Sequence, residues 1–263
     1  MRGKVLLLRR GTLLLILTAL VAAGIFMAVG GPSFVSASAA KRQLPIYSVE
    51  REEKVCAISF DAAWGNEDTQ ALIDILGKYN VKATFFVVGD WVDKYPESVK
   101  ALHDAGHEVM NHSLHHDHYN ALTADQVVAD VTACNEKIAA ITGVTPCLIR
   151  CPYGEYDDHV ISAIRSMGME PIQWDVDSLD WKDYDAPTIC KRVTSKLAPG
   201  SIVLFHNAAL HTPEALPEIL ECMIREGYTV LPISQLILHE SYTIDHTGRQ
   251  FAAQTDETGE AAS

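Results

Sequence analysis

Positive charge is scarce in this 263-residue chain: 21 Lys and Arg stand against 34 Asp and Glu. Four of the basic residues, Arg2, Lys4, Arg9 and Arg10, sit in the first forty positions, where there is no acid. That leaves 17 basic against 34 acidic residues beyond residue 40, a balance of −17. Nucleic acid and anionic membrane surface repel such a domain. Neither is an expected partner, whereas neutral or cationic ligands, glycans among them, are admitted. The six cysteines, Cys56, Cys134, Cys147, Cys151, Cys190 and Cys222, contain no Cys-x-x-Cys, so no redox or metal-cluster motif is present. Cys56, Cys134 and Cys222 fall within apolar patterns and read as small buried hydrophobes. Cys147 and Cys151 form the local pair that export would permit to oxidise. No internal repeat and no low-complexity block interrupts the chain.

Charge is also missing from Thr12 to Gly30, a Leu/Ala/Val-rich run behind the basic head. With Ala37-Ser38-Ala39 after it, the segment reads as a cleaved secretory signal. It reads equally as an uncleaved anchor, since about 20 apolar residues span a bilayer. Both readings place the remainder outside the cytoplasm, with the basic head inside. The expected organisation is a signal or anchor over 1–40, a polar linker or wrapping arm over 41–53, one domain over 54–240 and a loose tail over 241–263. The only membrane contact expected is through the N-terminal segment, and the domain is expected to be monomeric. A hydrophobic content of 48% suffices for one sizeable core.

Within the domain, short apolar runs alternate with segments of helical periodicity. Strands are expected over 55–60, 83–88, 107–111, 147–149, 169–174, 201–205 and 228–231. Helices are expected over 70–79, 96–105, 157–167, 188–197, 213–226 and 233–238. A long amphipathic helix opens at a Thr123-Ala124-Asp125-Gln126 capping box and stops at Gly143. This alternation predicts an α/β fold with a parallel sheet or barrel. The polar residues suited to chemistry do not scatter. Asp61, His112, Arg150, Asp177, Asp180 and His206 each stand at or just beyond the C-terminal end of an expected strand. In a barrel of parallel strands those ends share one face. The stretch from Asn111 to His118 packs four histidines into seven residues. His112 and His116, four apart, can converge on a divalent cation through neutral ring nitrogens.

Five ordered motifs across Val55–Leu238 resemble those of the NodB-type polysaccharide deacetylases, carbohydrate esterases (family 4) that remove N-acetyl groups from glycans. They are Ser59-Phe60-Asp61-Ala62-Ala63-Trp64-Gly65, His112-Ser113-Leu114-His115-His116, Arg150-Cys151-Pro152-Tyr153-Gly154, Asp177-Ser178-Leu179-Asp180-Trp181 and Leu204-Phe205-His206. The stretch from Val81 to Phe86 is similar to the family's second strand. The resemblance implies a distorted (β/α) barrel and a set of roles. Asp61 matches the general base, His206 the general acid, and His112 and His116 the metal-binding imidazoles. Tyr153 matches the residue whose backbone N–H faces the oxyanion, Arg150 and Asp180 the network that orients the base, and Trp181 an aromatic wall of the substrate pocket. The implied cofactor is a divalent metal, Zn2+ with Co2+ or Mn2+ as alternatives. The implied substrate is a cell-wall glycan, peptidoglycan foremost, which would release acetate. Such a metal would polarise an amide carbonyl and acidify water.

One position departs from the family pattern. The family's third metal ligand is an Asp directly after the base, and here that position is Ala62. A methyl group binds no cation, which weakens the expected site. Glu67 or Asp68 could fold back as a substitute; Asp68 could equally cap the following helix. A subgroup that includes the sporulation deacetylases of spore-forming bacteria is similar in its Phe-Asp-x-x-Trp-Gly form. The alternative function is a catalytically silent glycan-binding domain. His115, His118 and His211 match no motif and are expected to be loop histidines, and nothing in the sequence decides whether Glu155 and Tyr156 line the cleft.

Overall fold

The structure, a computed structural model, describes residues 42–253. The expected signal or anchor and the last ten residues lie outside that range. The strands are β1 (Ser48–Val49), β2 (Val55–Ala62), β3 (Thr84–Val87), β4 (Glu108–Asn111), β5 (Leu148–Ile149), β6 (Glu170–Pro171), β7 (Val176–Asp177), β8 (Ile202–His206), β9 (Thr229–Val230), β10 (Tyr242–Ile244) and β11 (Arg249–Ala252). The helices are α1 (Thr69–Lys78), α2 (Gly89–Lys94), α3 (Pro96–Asp104), α4 (Ala124–Thr142), α5 (Asp158–Ser166), α6 (Ala186–Thr194), α7 (Thr212–Arg225) and α8 (Ile233–Leu236).

The main sheet runs β6-β5-β4-β3-β2-β8-β7, with β9 beside the start of β2, and every pairing in it is parallel. Crossover helices between parallel strands curl it into the distorted (β/α) barrel that the alternation predicts. Side chains of β2 alternate in facing, as a strand requires. Cys56, Ile58, Phe60 and Ala62 join the cluster shared with the helices, where Phe60 stacks on Phe85 at 4.8 Å and on Phe205 at 5.6 Å. Ala57 joins a second cluster with Phe86, Met110, Ile172 and Ile202. Ser59 and Asp61 share its side of the strand. A third cluster packs α4 against α5 through Val127, Val131, Val160 and Ile164.

Helix ends follow the local chemistry. Thr123 caps α4 in a capping box with Gln126, and Gly143 closes it at φ +73°. The structure corrects or sharpens four expectations. The strand expected over 169–174 is only β6, after which Gln173 N–H bonds Ile46 O (2.7 Å); β7 lies beyond it, past Asp175, whose N–H bonds Ile202 O (3.2 Å). A helix that the sequence pattern did not announce, α2, follows the strand over 84–87 and opens at Gly89, where a Cβ would meet Leu114 Cδ1 at 2.6 Å. The arm over 41–53 contains β1 and is part of the sheet system. It enters the seam between β6 and β8, bridging Ile46 to Ile172 and Ser48 to Ser201. The expected loose tail begins instead with a hairpin, β10–β11, and β11 pairs in parallel with β1.

Among the described residues no helix is long and apolar enough to cross a membrane. All six cysteines are free thiols, four of them buried.

Candidate active site

The C-terminal strand ends assemble one cavity of about 400 Å³. Its lining includes Asp61, His112, His116, Tyr153, Asp177, Trp181 and His206, together with Trp64, Trp174, Gly154 and Leu204. Asp61 and His206 are register partners on the adjacent strands β2 and β8. The strand-end argument therefore brings the expected residues together, with Arg150 and Asp180 buried directly beneath.

Arg150 holds Asp61 in place. The fully buried guanidinium donates from Nη1 to Asp61 Oδ1 at 2.7 Å, and from Nη2 to Ser59 Oγ (2.9 Å) and the Gln173 carbonyl (3.1 Å). It lies over the rings of Phe86 and Trp174 at 4.3 and 5.4 Å. Burial alone would raise the Asp61 pKa. The Arg150 charge, with help from His112 and His206, more than offsets this and holds the carboxyl below its ordinary value.

His206 is pushed the other way. Burial works against its protonated form, yet the Asp180 carboxylate wins and raises its pKa. Asp180 is wholly buried and accepts four hydrogen bonds. His206 Nδ1–H (2.8 Å) and Trp181 N–H (3.0 Å) bond Oδ1; His206 N–H (2.8 Å) and Thr212 Oγ1–H (2.7 Å) bond Oδ2. With Nδ1 committed to Asp180, Nε2 is the nitrogen left for the cavity.

The histidine loop is shaped by side chains bonding its own backbone. Asn111 Oδ1 accepts from Ser113 N (2.7 Å), Asp130 Oδ1 from Leu114 N (2.8 Å), and Ser113 Oγ from His116 N (2.9 Å). These bonds support positive φ at Ser113 (+76°) and His116 (+61°). His112 Nδ1–H donates to the Arg150 carbonyl at 2.7 Å, leaving an Nε2 lone pair 3.5 Å from Asp61 Oδ2. Burial lowers the pKa of His112, and burial together with His112 lowers that of His116 to about 4, so both imidazoles are neutral ligands in form.

A resident metal needs more than this pair. Among the described residues no group of three or more His, Cys, Asp or Glu side chains is arranged to hold one. Catalytic zinc sites use three protein ligands. Ala62 is 1% exposed, belongs to the helix-side cluster and does not line the cavity. Neither substitute stands with the histidines in this structure: Asp68 Oδ2 accepts from Ala208 N at 2.9 Å, its Oδ1 is buried without a protein partner, and Asp68 makes no side-chain cap bond, so it tethers a loop instead of capping α1. The Glu67 carboxylate lies over Gly65. The residues present do not complete a metal site, and no step below passes through one.

Tyr153 has φ +58°, ψ +6°, a left-handed conformation costly for a bulky residue. In the turn it makes, the N–H groups of Gly154 and Glu155 bond the carbonyls of Cys151 and Pro152 (3.2 and 3.0 Å), while that of Tyr153 has no protein acceptor among the described residues. Sequence reasoning missed three neighbours. His118, expected to be a bystander, stacks on Tyr153 at 4.2 Å and pairs with Glu155 at 2.8 Å. Trp64 sets its ring against His116 at 5.6 Å. Thr212 holds Asp180.

The polysaccharide deacetylase family profile matches residues 48–172. The peptidoglycan-N-acetylmuramic acid deacetylase PdaA of Bacillus subtilis is 30% identical over 198 residues, covering 74% of this chain and 75% of that protein. PdaC of Bacillus subtilis, of the same description, is 34% identical over 189 residues; the match covers 72% of this chain but only 40% of PdaC. A wild-type carbohydrate esterase family 4 pseudoenzyme from Bacillus anthracis superposes with a TM-score of 0.72 at 34% identity, covering 74% of this chain and 69% of that one.

Proposed function

From the premise that the chain belongs to the polysaccharide deacetylase family, we propose that it removes N-acetyl groups from a cell-wall glycan, peptidoglycan, on the extracytoplasmic side. One observation carries the reading: two titratable groups on adjacent strand ends have their pKa values pushed in opposite directions within one cavity. That pattern distinguishes a base from an acid. Asp61, ionised at neutral pH, takes the proton from water as it attacks the acetamide carbonyl. The Tyr153 N–H is the donor offered to the tetrahedral oxyanion. Collapse expels the sugar amine, which His206 protonates from Nε2. Arg150 fixes the Asp61 carboxylate and Asp180 fixes the His206 tautomer. Trp181 walls the cavity beside them. The names of PdaA and PdaC support peptidoglycan as the polymer.

Acetate release from purified peptidoglycan by the full chain tests this. Asp61→Asn and His206→Ala should each reduce it about 10²- to 10⁴-fold. Unchanged release in either variant would refute the assigned roles.

A second reading, glycan binding without turnover, is favoured by the methyl group of Ala62 and by the pseudoenzyme of similar fold. His112 and His116 remain the candidate ligands for Zn2+, Co2+ or Mn2+. Elemental analysis separates the readings when run beside the acetate assay with zinc or cobalt supplied. Binding of peptidoglycan with no acetate and no bound metal establishes the second.

A further inference from the structure

Among the described residues, the aromatic side chains more than half exposed are Trp64 (61%), Tyr153 (56%) and Trp181 (56%), and all three line the one cavity. Large aromatic surface left in water at a concave site marks a binding surface. Trp181 and Tyr153 already have places in the site. Trp64 has none: it makes no proton transfer, and its loop lacks the expected carboxylate.

The loop displays the indole rigidly. The Gly65 carbonyl beside it accepts from Trp91 Nε1 at 2.9 Å and from Asn207 Nδ2, and the Ala62 carbonyl accepts from Val88 N at 3.0 Å. Strand β2 and the turn after it are thereby tied to α2 and to the loop following His206. The backbone that carries the ring is tied down before any ligand arrives, which lowers the entropy cost of binding. Its neighbours fix its side of the cleft. Trp64 lies edge-on to His116, which is edge-on to Tyr153 at 4.5 Å. Trp181 joins the site through His206, its backbone N–H bonding the Asp180 that holds that imidazole. His112 and Asp61 link the two groups: His112 lies edge-on to His116 at 4.9 Å, and its Nε2 is 3.5 Å from Asp61 Oδ2. No lysine or arginine is among the lining residues.

We propose that Trp64 is a sugar-binding platform, pairing with Trp181 to grip an uncharged N-acetylhexosamine ring across the Asp61–His206 pair. The negative face of the indole meets the positive C–H edge of the pyranose. A cleft without cationic side chains suits a neutral sugar better than an anionic one. The inference rests on the cleft being a glycan site, but not on turnover.

The test is calorimetric titration of chitotetraose into the full chain carrying Asp61→Asn, so that binding is read without hydrolysis. Trp64→Ala in that background should weaken affinity roughly 2- to 12-fold, the equivalent of one aromatic contact. Trp64→Phe should stay nearer the parent, and Val144→Ser, at an exposed residue outside the cavity, should change nothing. The melting temperature of Trp64→Ala should match the parent, because the ring is exposed. Equal affinity in Trp64→Ala and parent overturns the proposal for Trp64 when Trp181→Ala does weaken binding. No binding by the parent, or no effect of either tryptophan, overturns the glycan-site reading as well.

Discussion

Replacing Arg150 with methionine would isolate the ion pair at the base of the cavity from the chemistry above it. Methionine keeps much of the volume over Phe86 and Trp174 but supplies no donor. Asp61, with 8% of its side chain exposed, would lose the 2.7 Å bond to Oδ1, and Ser59 Oγ and the Gln173 carbonyl would lose theirs. Removing one partner of a buried pair costs about 3–5 kcal/mol, mostly the price of the charge left behind. In a domain of this size that lowers Tm by about 6–20 °C. The loss must depend on pH. In the parent, a carboxyl held below its ordinary pKa contributes stability above about pH 3.9, lost as pH falls through the folded value. In the variant, burial acts without the guanidinium and raises the folded pKa. The loss is therefore larger at pH 7 than at pH 4.5, and a pH-independent part, from the bonds to Ser59 and Gln173, remains at both. Calorimetric melts of parent, Arg150→Met and Asp61→Asn/Arg150→Met at pH 7 and pH 4.5 would read this. The double variant, with both charges gone, should recover most of the loss. A single variant within about 1 °C of the parent at pH 7, or a double variant no more stable than the single, would refute the reasoning.

Other perturbations have defined outcomes. Thr212→Val removes one of the four bonds to Asp180; acetate release should fall severalfold because the carboxylate that orients His206 loses an anchor, and Thr212→Ser should restore it. Gly200→Ala places a Cβ 1.7 Å from the Val49 carbonyl at φ +79°; backbone strain alone costs about 1–3 kcal/mol, and thermal melts should show at least that loss. Thr123→Ala removes the α4 capping box and should cost about 1 kcal/mol in urea unfolding, with glycan binding unchanged because Thr123 does not line the cavity.

Much of the barrel was legible because its signals are local. An apolar run ending at Asp61 marks β2, a Thr and a Gln three apart mark the start of α4, and glycines mark helix ends. The shared face of Asp61, His112, Arg150 and His206 followed from strand direction alone. What escaped depends on distant partners. Nothing near Ser48 announces Arg249 as its neighbour, and nothing within 169–177 tells that Ile46 will take the Gln173 N–H. Asp68 looks like a helix cap because the Ala208 amide that claims it lies 140 residues on. The lining role of Trp64 went unread, since its loop is placed by the bonds to the Gly65 carbonyl from Trp91 and Asn207.

The arm that fills the barrel seam has a mechanical consequence. The Ile46 carbonyl holds the Gln173 amide, the Gln173 carbonyl holds Arg150, and the Gln173 side chain donates to the Gly154 carbonyl at 3.0 Å. Residue 46 is thus two hydrogen-bonded steps from both the base's anchor and the Tyr153 turn. A chain begun at Lys54, where polarity suggests a boundary, would keep β2 to β9 and still lose the tension member that sets those two groups. Its defect would appear in the cavity before it appeared in the secondary structure.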